Sequence, residues 1–351
     1  MSQKKVFVGM SGGVDSSLAA ALLLEQGYDV TGVFMKNWTR DLPGFACGWE
    51  EDFKDAKAVA VQLGIPFMVF DFETDYRKQV VDYMLSAYQQ GLTPNPDIMC
   101  NQEIKFKLFL NKATELGAER IATGHYARSV NGKLLMAKDK SKDQSYFLYR
   151  ISKQALKCTL FPLGEMHKSE VRKQAAQRKL ITAQKPDSQG ICFVGEIGIK
   201  QFLLSELGEQ SKGKIIDQRG KVIGEHDGAI YYTIGQRHGL NVGGGLPYYV
   251  IRKDMAKNEV YVSSELTDPK LWSSELGLVE PWWINGPPKT GSVYAVKCRY
   301  RSDATSCRLS IDQGEVTLKL DEAVRAASPG QSAVIYLNEQ VIGGGIINRC
   351  N

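Results

Sequence analysis

An apolar run at 6–10 passes through Ser11-Gly12-Gly13-Val14-Asp15-Ser16-Ser17 into an Ala- and Leu-rich stretch at 15–25, and no other feature of the 351 residues restricts the fold as tightly. The run has strand length and the following stretch reads as a helix stopped by Gly27, so the seven residues from Ser11 to Ser17, all but Val14 polar or glycine, form a strand-to-helix turn. Such a turn points backbone N–H groups and a helix N-terminus at one spot. Two adjacent glycines let the chain turn tightly and let an anion come close. The same alternation continues with a strand at 30–35, a helix at 51–63 closed by Gly64, a strand at 66–70, helices at 76–88 and 104–116, and a strand at 120–123. Strands alternating with helices predict an α/β fold with a parallel sheet, in which ligands bind beyond the carboxyl ends of the strands. The chain has no G-x-x-x-x-G-K-[ST] string, so the turn is not a Walker-type loop with a lysine on the phosphates.

From about residue 212 the texture changes to short β-runs broken by glycine and proline. Runs 214–216 and 221–223 read as a hairpin through DQRG, and 248–252 pairs with 259–262. After PWWINGPP, the runs 292–300, 306–311, 315–320, 332–337 and 341–347 are strands at close spacing, the pattern of a closed or nearly closed barrel. The expected organisation is an α/β unit at 1–200, a small β-rich unit at 201–270 and a β-barrel at 271–351. The glycine triplets at 243–245 and 343–345 open no helix and read as turns or bulges.

Charge is unevenly spread. Residues 1–100 hold 8 Lys and Arg against 13 Asp and Glu, whereas 101–185 hold 18 against 7, and this basic concentration is the footprint expected of a nucleic-acid backbone contact. No apolar run approaches the roughly 20 residues of a membrane helix, and the opening ten residues do not read as a signal peptide, so a cytoplasmic protein is expected. The seven cysteines include no C-x-x-C pair, and no metal-ligand spacing is visible.

Two cysteines sit in loops with their own character. PNPDIMCN places Asp97 three residues before Cys100, in a proline-stiffened loop leading to a helix expected from about 102. A thiol near a helix N-terminus has its thiolate stabilised by the local positive potential. Cys192 follows a polar stretch in DSQGICFVG. Either cysteine alone reads more readily as the small buried hydrophobe that most free cysteines are, and it is the pair in polar, proline- or glycine-containing loops that stands out. Cys47 lies in a stretch to which no role is assigned.

The S-G-G-x-D-S string resembles the fingerprint of PP-loop (N-type) ATP pyrophosphatases. Further strings are similar to the tRNA 2-thiouridylase family in particular: GMSGGVDSS, FMKNW, TPNPDIMCN, EIKF, ATGHYAR, KDQSYFL, FPLGE, DSQGICFVGE, TIGQRHGL, RYR, PGQSAV and GGGII. The likeness runs essentially end to end. It implies a PP-loop catalytic domain followed by a β-rich domain and a barrel. It also implies ATP-dependent adenylation of the C2 carbonyl of the wobble uridine in the anticodon arm of tRNA, then sulfur transfer from a cysteine persulfide.

By the same resemblance Gly9, Met10, Ser11, Gly12, Gly13, Val14, Asp15, Ser16, Met35 and Gly124 hold ATP, with Mg²⁺ offsetting phosphate charge. Cys192 carries a persulfide delivered by a sulfur-relay protein, and Cys100 attacks it, releasing sulfide or forming a Cys100–Cys192 disulfide. Asn95, Pro96 and Asp97 meet the target base, flipped out of its stack. His125, Lys142, Asp143, Gln144, Arg299, Tyr300 and Gln331 touch tRNA, and the chain acts as a monomer. Two other readings remain open from the residues alone: another PP-loop ligase, which needs no paired cysteines, and a non-catalytic ATP-regulated RNA-binding protein.

Overall fold

A computed structural model describes residues 3–42, 47–187, 198–240, 242–243, 245 and 247–351. Strands β1 (Lys5–Gly9), β2 (Asp29–Lys36), β3 (Phe67–Asp71) and β4 (Arg120–Ala122) are followed by a hairpin, β5 (Ala127–Val130) and β6 (Lys133–Met136), and by the short edge strand β7 (Thr159–Leu160). The first sheet has the order β3-β2-β1-β4-β7, and every pairing in it is parallel. Strand order reverses at β1 and β4, so the chain leaves these neighbours in opposite directions and opens a crevice at their carboxyl ends.

Helix α1 (Val14–Glu25) buries Val14, Leu18, Ala19, Ala20, Ala21 and Leu23. Burial on several sides follows from its position between the sheet and a later helix. Helix α2 (Trp49–Leu63) is amphipathic: Ala56, Val59 and Ala60 pack on Val6, Val8 and Phe34, and Gly64 caps its end in the left-handed conformation.

The two following helical stretches cover the runs the sequence marks as helical, the second beginning earlier, and both depart from plain α-helix. Residues 73–89 are α-helical at α3 (Glu73–Tyr76) and α4 (Asp82–Gln89), joined by a π-helix at Arg77–Val81. Residues 96–115 contain α5 (Pro96–Met99), a nine-residue π-helix at Cys100–Leu108 and α6 (Phe109–Glu115). Proline at the first helical position, with Asn95 extended just before it, starts this helix six residues earlier than expected. Cys100 therefore lies one turn inside the helix rather than ahead of it. Helices α7 (Lys153–Lys157), α8 (Lys168–Gln177) and α9 (Gly198–Leu207) follow. No helix among the described residues is long and apolar enough to cross a membrane.

The second sheet, ordered β10-β11-β8-β9, comprises β8 (Gly213–Ile216), β9 (Val222–His226), β10 (Tyr249–Asp254) and β11 (Glu259–Ser263), and both expected hairpins form. The third contains β12 (Trp272–Trp283), β13 (Val293–Lys297), β14 (Thr305–Asp312), β15 (Glu315–Arg325), β16 (Ser332–Leu337) and β17 (Gln340–Cys350). Because β12 pairs with both β15 and β17, these six antiparallel strands close into a barrel. The hairpin β5–β6, two hundred residues earlier, adds to the outside through Val341 opposite Leu134 and Gln340 opposite Leu135.

The barrel has its own core of Leu276, Val296, Cys307, Leu309, Leu318 and Ile347. A larger apolar cluster runs from Phe7, Phe70 and Phe109 under the first sheet through Tyr146 and Tyr149 to Val260 and Val262 of the second sheet and Val334 and Tyr336 of the barrel. One continuous core thus joins all three sheets. The buried hydroxyl of Tyr146 donates to the carbonyl of Ser332 at 2.8 Å, fixing the barrel to the first unit.

Candidate functional site

The turn after β1 is shaped by its own hydroxyls. Ser16 and Ser17 donate through Oγ to the carbonyl of Gly13 at 3.1 and 2.8 Å, and the Ser11 amide donates to Ser16 Oγ at 3.2 Å. Gly13, extended at the N-cap of α1, offers no side chain to the first helical amides, which leaves those donors for an anion. Gly12 has φ +74°, and a Cβ there would stand 2.3 Å from the carbonyl oxygen of Asp52 on α2. Backbone conformation and space both require glycine at that position.

The other expected nucleotide residues divide by what they can present. Met10 and Val14 are buried side chains, so only their backbone can face a ligand. A Cβ on Gly9 would stand 2.9 Å from Met35 Cε, which puts these two residues on adjacent strand ends. A Cβ on Gly124 would stand 2.8 Å from the Ser16 amide nitrogen, so the turn after β4 lies directly against the start of α1.

Asp15 is the carboxylate of the turn. Its Oδ1 accepts from the Tyr126 hydroxyl at 2.8 Å, and Lys168 Nζ reaches Oδ1 and Oδ2 at 2.7 and 2.8 Å. Lys168 also lies 2.8 Å from Asp187 Oδ1, and Asp187 further accepts from Arg172 at 2.6 Å and Lys142 at 3.0 Å. Burial alone would raise the Asp187 carboxyl, but hydrogen bonds from Lys168 and Lys142 outweigh it and hold the pKa at about 2. Sequence reasoning missed Lys168 and Arg172, which carry no local motif; Tyr126 was visible only within ATGHYAR and Asp187 only as the start of DSQG, neither with a role.

A second site lies where the three sheets meet. A cavity of about 580 Å³ is lined by Thr93, Pro94 and Asn95, by Tyr146, by the turn from Thr233 to Gln236 of the β-rich unit, and by Arg299, Tyr300, Arg301 and Gln331 of the barrel. Asn95 is thereby brought together with Arg299, Tyr300 and Gln331. The Tyr300 ring lies 4.4 Å from that of Phe147. Arg299 donates to the carbonyls of Ile234 and Ala326, at 3.2 and 2.5 Å, while its Nε is buried with no protein partner among the described residues. Gln331 Oε1 is likewise buried and unpartnered. Both residues line the cavity, and a buried polar atom without a protein partner calls for water or a polar ligand nearby.

Pro96 is buried in the first turn of the helix. Asp97 follows it, and burial pushes its carboxyl above the ordinary value, although the charge of Lys105 pulls the other way. Cys100 is buried one turn further on. Cys192 lies outside the described residues, so no distance relates the two thiols.

The remaining expected RNA contacts are placed differently from one another. His125 packs between Phe106 and Phe161, at 5.7 and 6.4 Å between ring centres, with Nδ1 2.8 Å from Thr123 Oγ1. Burial, aided by the charge on Lys105, lowers its pKa well below the usual value and keeps the ring neutral. Asp143 is buried and accepts from the Ala137 amide at 2.8 Å and the Ser145 hydroxyl at 2.9 Å. Gln144 Oε1 accepts from the Tyr126 amide at 2.9 Å. Asp143 from its buried position and Gln144 through its amide oxygen thus shape their turn, while Lys142, like Gln144, is partly exposed.

Comparison with known proteins gives a consistent picture. Family models match in three consecutive blocks: a tRNA methyl transferase HUP domain at 4–196, a tRNA methyl transferase PRC-barrel domain at 200–264 and an aminomethyltransferase beta-barrel domain at 273–347. The chain is 45% identical over 359 aligned residues to a tRNA-specific 2-thiouridylase MnmA from Francisella tularensis subsp. novicida, covering 99% of this chain and 100% of that one. The same protein name, identity and coverage apply to a relative from Francisella tularensis subsp. tularensis. Among solved structures, a 4-thiouridine synthetase–RNA complex with bound ATP aligns over 55% of this chain and 45% of its own, with 19% identity and a TM-score of 0.36.

Proposed function

The chain belongs to the tRNA-specific 2-thiouridylase family, and from that membership we propose that it forms 2-thiouridine at the wobble position of tRNA, with ATP cleaved to AMP and pyrophosphate. The observation that carries the reading is the three-sheet cavity. It joins the loop entering the Asp97–Cys100 helix to an arginine, a tyrosine and a glutamine of the barrel, two of them with unpartnered buried atoms. A flipped pyrimidine fits such a site: the Tyr300 ring supplies a stacking face, and Arg299, Gln331 and Asn95 supply polar contacts to base and backbone.

The nucleotide belongs at the turn after β1. The uncapped amides of α1, the glycine-only position at Gly12 and the close approach of Gly124 fit a polyphosphate held mainly by backbone. Asp15 is the one carboxylate within the turn, which fits Mg²⁺ bound chiefly through phosphate oxygens and water. Bound there, Mg²⁺ would offset phosphate charge.

The chemistry follows in balanced steps. O2 of the uracil attacks the α-phosphorus of ATP and pyrophosphate leaves, which converts a poor leaving oxygen into AMP. Cys192 carries a persulfide from a sulfur-relay protein. Either its terminal sulfur attacks C2 and the Cys100 thiolate then attacks the Cys192 sulfur, breaking the S–S bond so that the outer sulfur stays on C2 and a Cys100–Cys192 disulfide forms, or the Cys100 thiolate attacks the Cys192 sulfur first, forming that disulfide and freeing sulfide to attack C2. AMP then departs, and an external thiol returns two electrons to the disulfide. Asp97, shifted toward its protonated form by burial, donates or accepts the proton at the base. The Arg299 and Gln331 region together with His125 and Lys142 meets the anticodon arm, and the chain works as a cytoplasmic monomer.

The test is in vitro thiolation with ATP, Mg²⁺, a persulfide source and unmodified tRNA, read by nucleoside mass spectrometry for wild type, Cys100→Ser and Cys192→Ser. A sulfur-sized mass gain at the wobble uridine that needs ATP and disappears in Cys192→Ser is the expected result. No gain on tRNA, with pyrophosphate still released on some small carboxylate, overturns it.

A further inference from the structure

Three cations converge on a single carboxylate beside the turn after β1. Lys168, at the start of α8, is nearly enclosed; Arg172 stands one turn later on the same helix; Lys142 comes from the turn after β6. Their common partner, Asp187, is only partly covered. Arg172 also donates to the carbonyls of Ala183 and Lys185, at 2.9 and 2.6 Å, so the chain leading to Asp187 is fastened to α8. Lys168 bridges Asp187 to Asp15, and Asp15 belongs to the first turn of α1, whose amides have no side-chain cap.

Two anion-seeking features therefore meet at Lys168: a helix N-terminus and a trio of positive side chains. The low pKa of Asp187 reports the same positive field, strong enough to overcome burial of the carboxylate. We propose that Lys168, Arg172 and Lys142 form the subsite for the terminal phosphates of ATP, and that Asp187 occupies that subsite as an internal carboxylate when nucleotide is absent. This rests on the reading of the turn after β1 as the ATP site. A polyphosphate entering the turn meets Lys168 first, through its contact with Asp15, and exchanges with the Asp187 carboxylate for the same donors. Phosphate oxygens accept charge-assisted hydrogen bonds from Lys and Arg as a carboxylate does, with more charge to share among three cations. Asp187 is then an intramolecular competitor that lowers the apparent affinity for nucleotide.

The experiment is equilibrium binding of α,β-methylene-ATP, inorganic pyrophosphate and AMP to the full chain, with thermal melting of each variant alongside. Lys168→Met is expected to weaken the ATP analogue and pyrophosphate at least about tenfold, the equivalent of about 1.4 kcal/mol, and to leave AMP unchanged. Asp187→Asn is expected to tighten the ATP analogue and pyrophosphate several-fold, a gain that structural damage does not produce. Unchanged or weaker binding in Asp187→Asn, or an equal loss of AMP and the ATP analogue in Lys168→Met, overturns the subsite. A wild-type chain that binds none of the three overturns the ATP reading as well. Wild-type binding that ignores both substitutions overturns the subsite alone.

Discussion

The backbone amide of Thr93 donates to the carbonyl of Pro329 at 2.9 Å, so the loop that enters the Asp97–Cys100 helix is hung directly from a turn of the barrel. Gly330, the next residue in that turn, has φ +92°, and a Cβ on it would stand 2.6 Å from the Thr93 nitrogen. Gly330→Ala is expected to cost at least about 1–2 kcal/mol from the backbone conformation alone. It should also push the two walls of the cavity apart. Tm should fall and thiolation with it, while affinity for an ATP analogue stays at the wild-type value; a loss of nucleotide binding would place the damage elsewhere.

Gly12→Ala acts at the other site. A methyl 2.3 Å from the Asp52 carbonyl can be accommodated only by moving α2 or the turn, because both contacting groups are backbone. Nucleotide binding by calorimetry should be lost or weakened by more than about tenfold, together with a lower Tm, and wild-type affinity in this variant would count against the turn as the ATP site.

Asp97 makes a pH prediction. Its folded pKa is raised above the unfolded value of about 3.9, so the native state holds this proton more tightly than the unfolded chain. Stability contributed by the protonated group is complete below the unfolded pKa and is lost as pH rises through the folded one. Asp97→Asn removes that loss. In denaturant titrations the variant should be at least as stable as wild type at about pH 8, with its advantage shrinking toward about pH 4, while thiolation drops sharply at every pH.

Arg301 and Tyr300 separate electrostatic from stacking contributions to RNA binding. Arg301 is exposed at the cavity wall, so Arg301→Ala should weaken tRNA binding similarly across tRNA sequences and reduce the slope of log affinity against log salt by about one. Tyr300→Ala should leave that slope intact and cost about 1–3 kcal/mol of base stacking. Filter binding over a salt series distinguishes the two, and identical behaviour would mean that neither residue has the assigned contact.

The parallel sheet was legible in the sequence because each element carries its own local pattern. The turn after β1 is a contiguous string, and α2 declares itself through Ala56, Val59 and Ala60 and its glycine stop. The π segments at 77–81 and 100–108 were not legible, since they lie inside runs whose apolar residues suit a helix of either pitch. Strand β12 escaped notice because register shifts at Ser273–Glu275, Gly277–Leu278 and Val279–Trp282, with Glu280 at φ +47°, break its alternation. Hairpin β5–β6 was missed too. Of the two sites, the thiol and base-contact strings could be read as motifs. The clasp on Asp187 could not, because residues 15, 142, 168, 172 and 187 become neighbours only when α8 packs against α1.

The pairing of β6 with β17 sets an order of events during synthesis. Leu134 and Leu135 leave the ribosome about two hundred residues before Val341 and Gln340, so the nascent chain carries an open β-edge in the unit that holds the first sheet until β17 has been made. Tyr146 likewise waits for Ser332. A premature stop ahead of β17 therefore strips a partner from the hairpin that immediately follows the nucleotide crevice, and the lesion is felt about two hundred residues from where it was made.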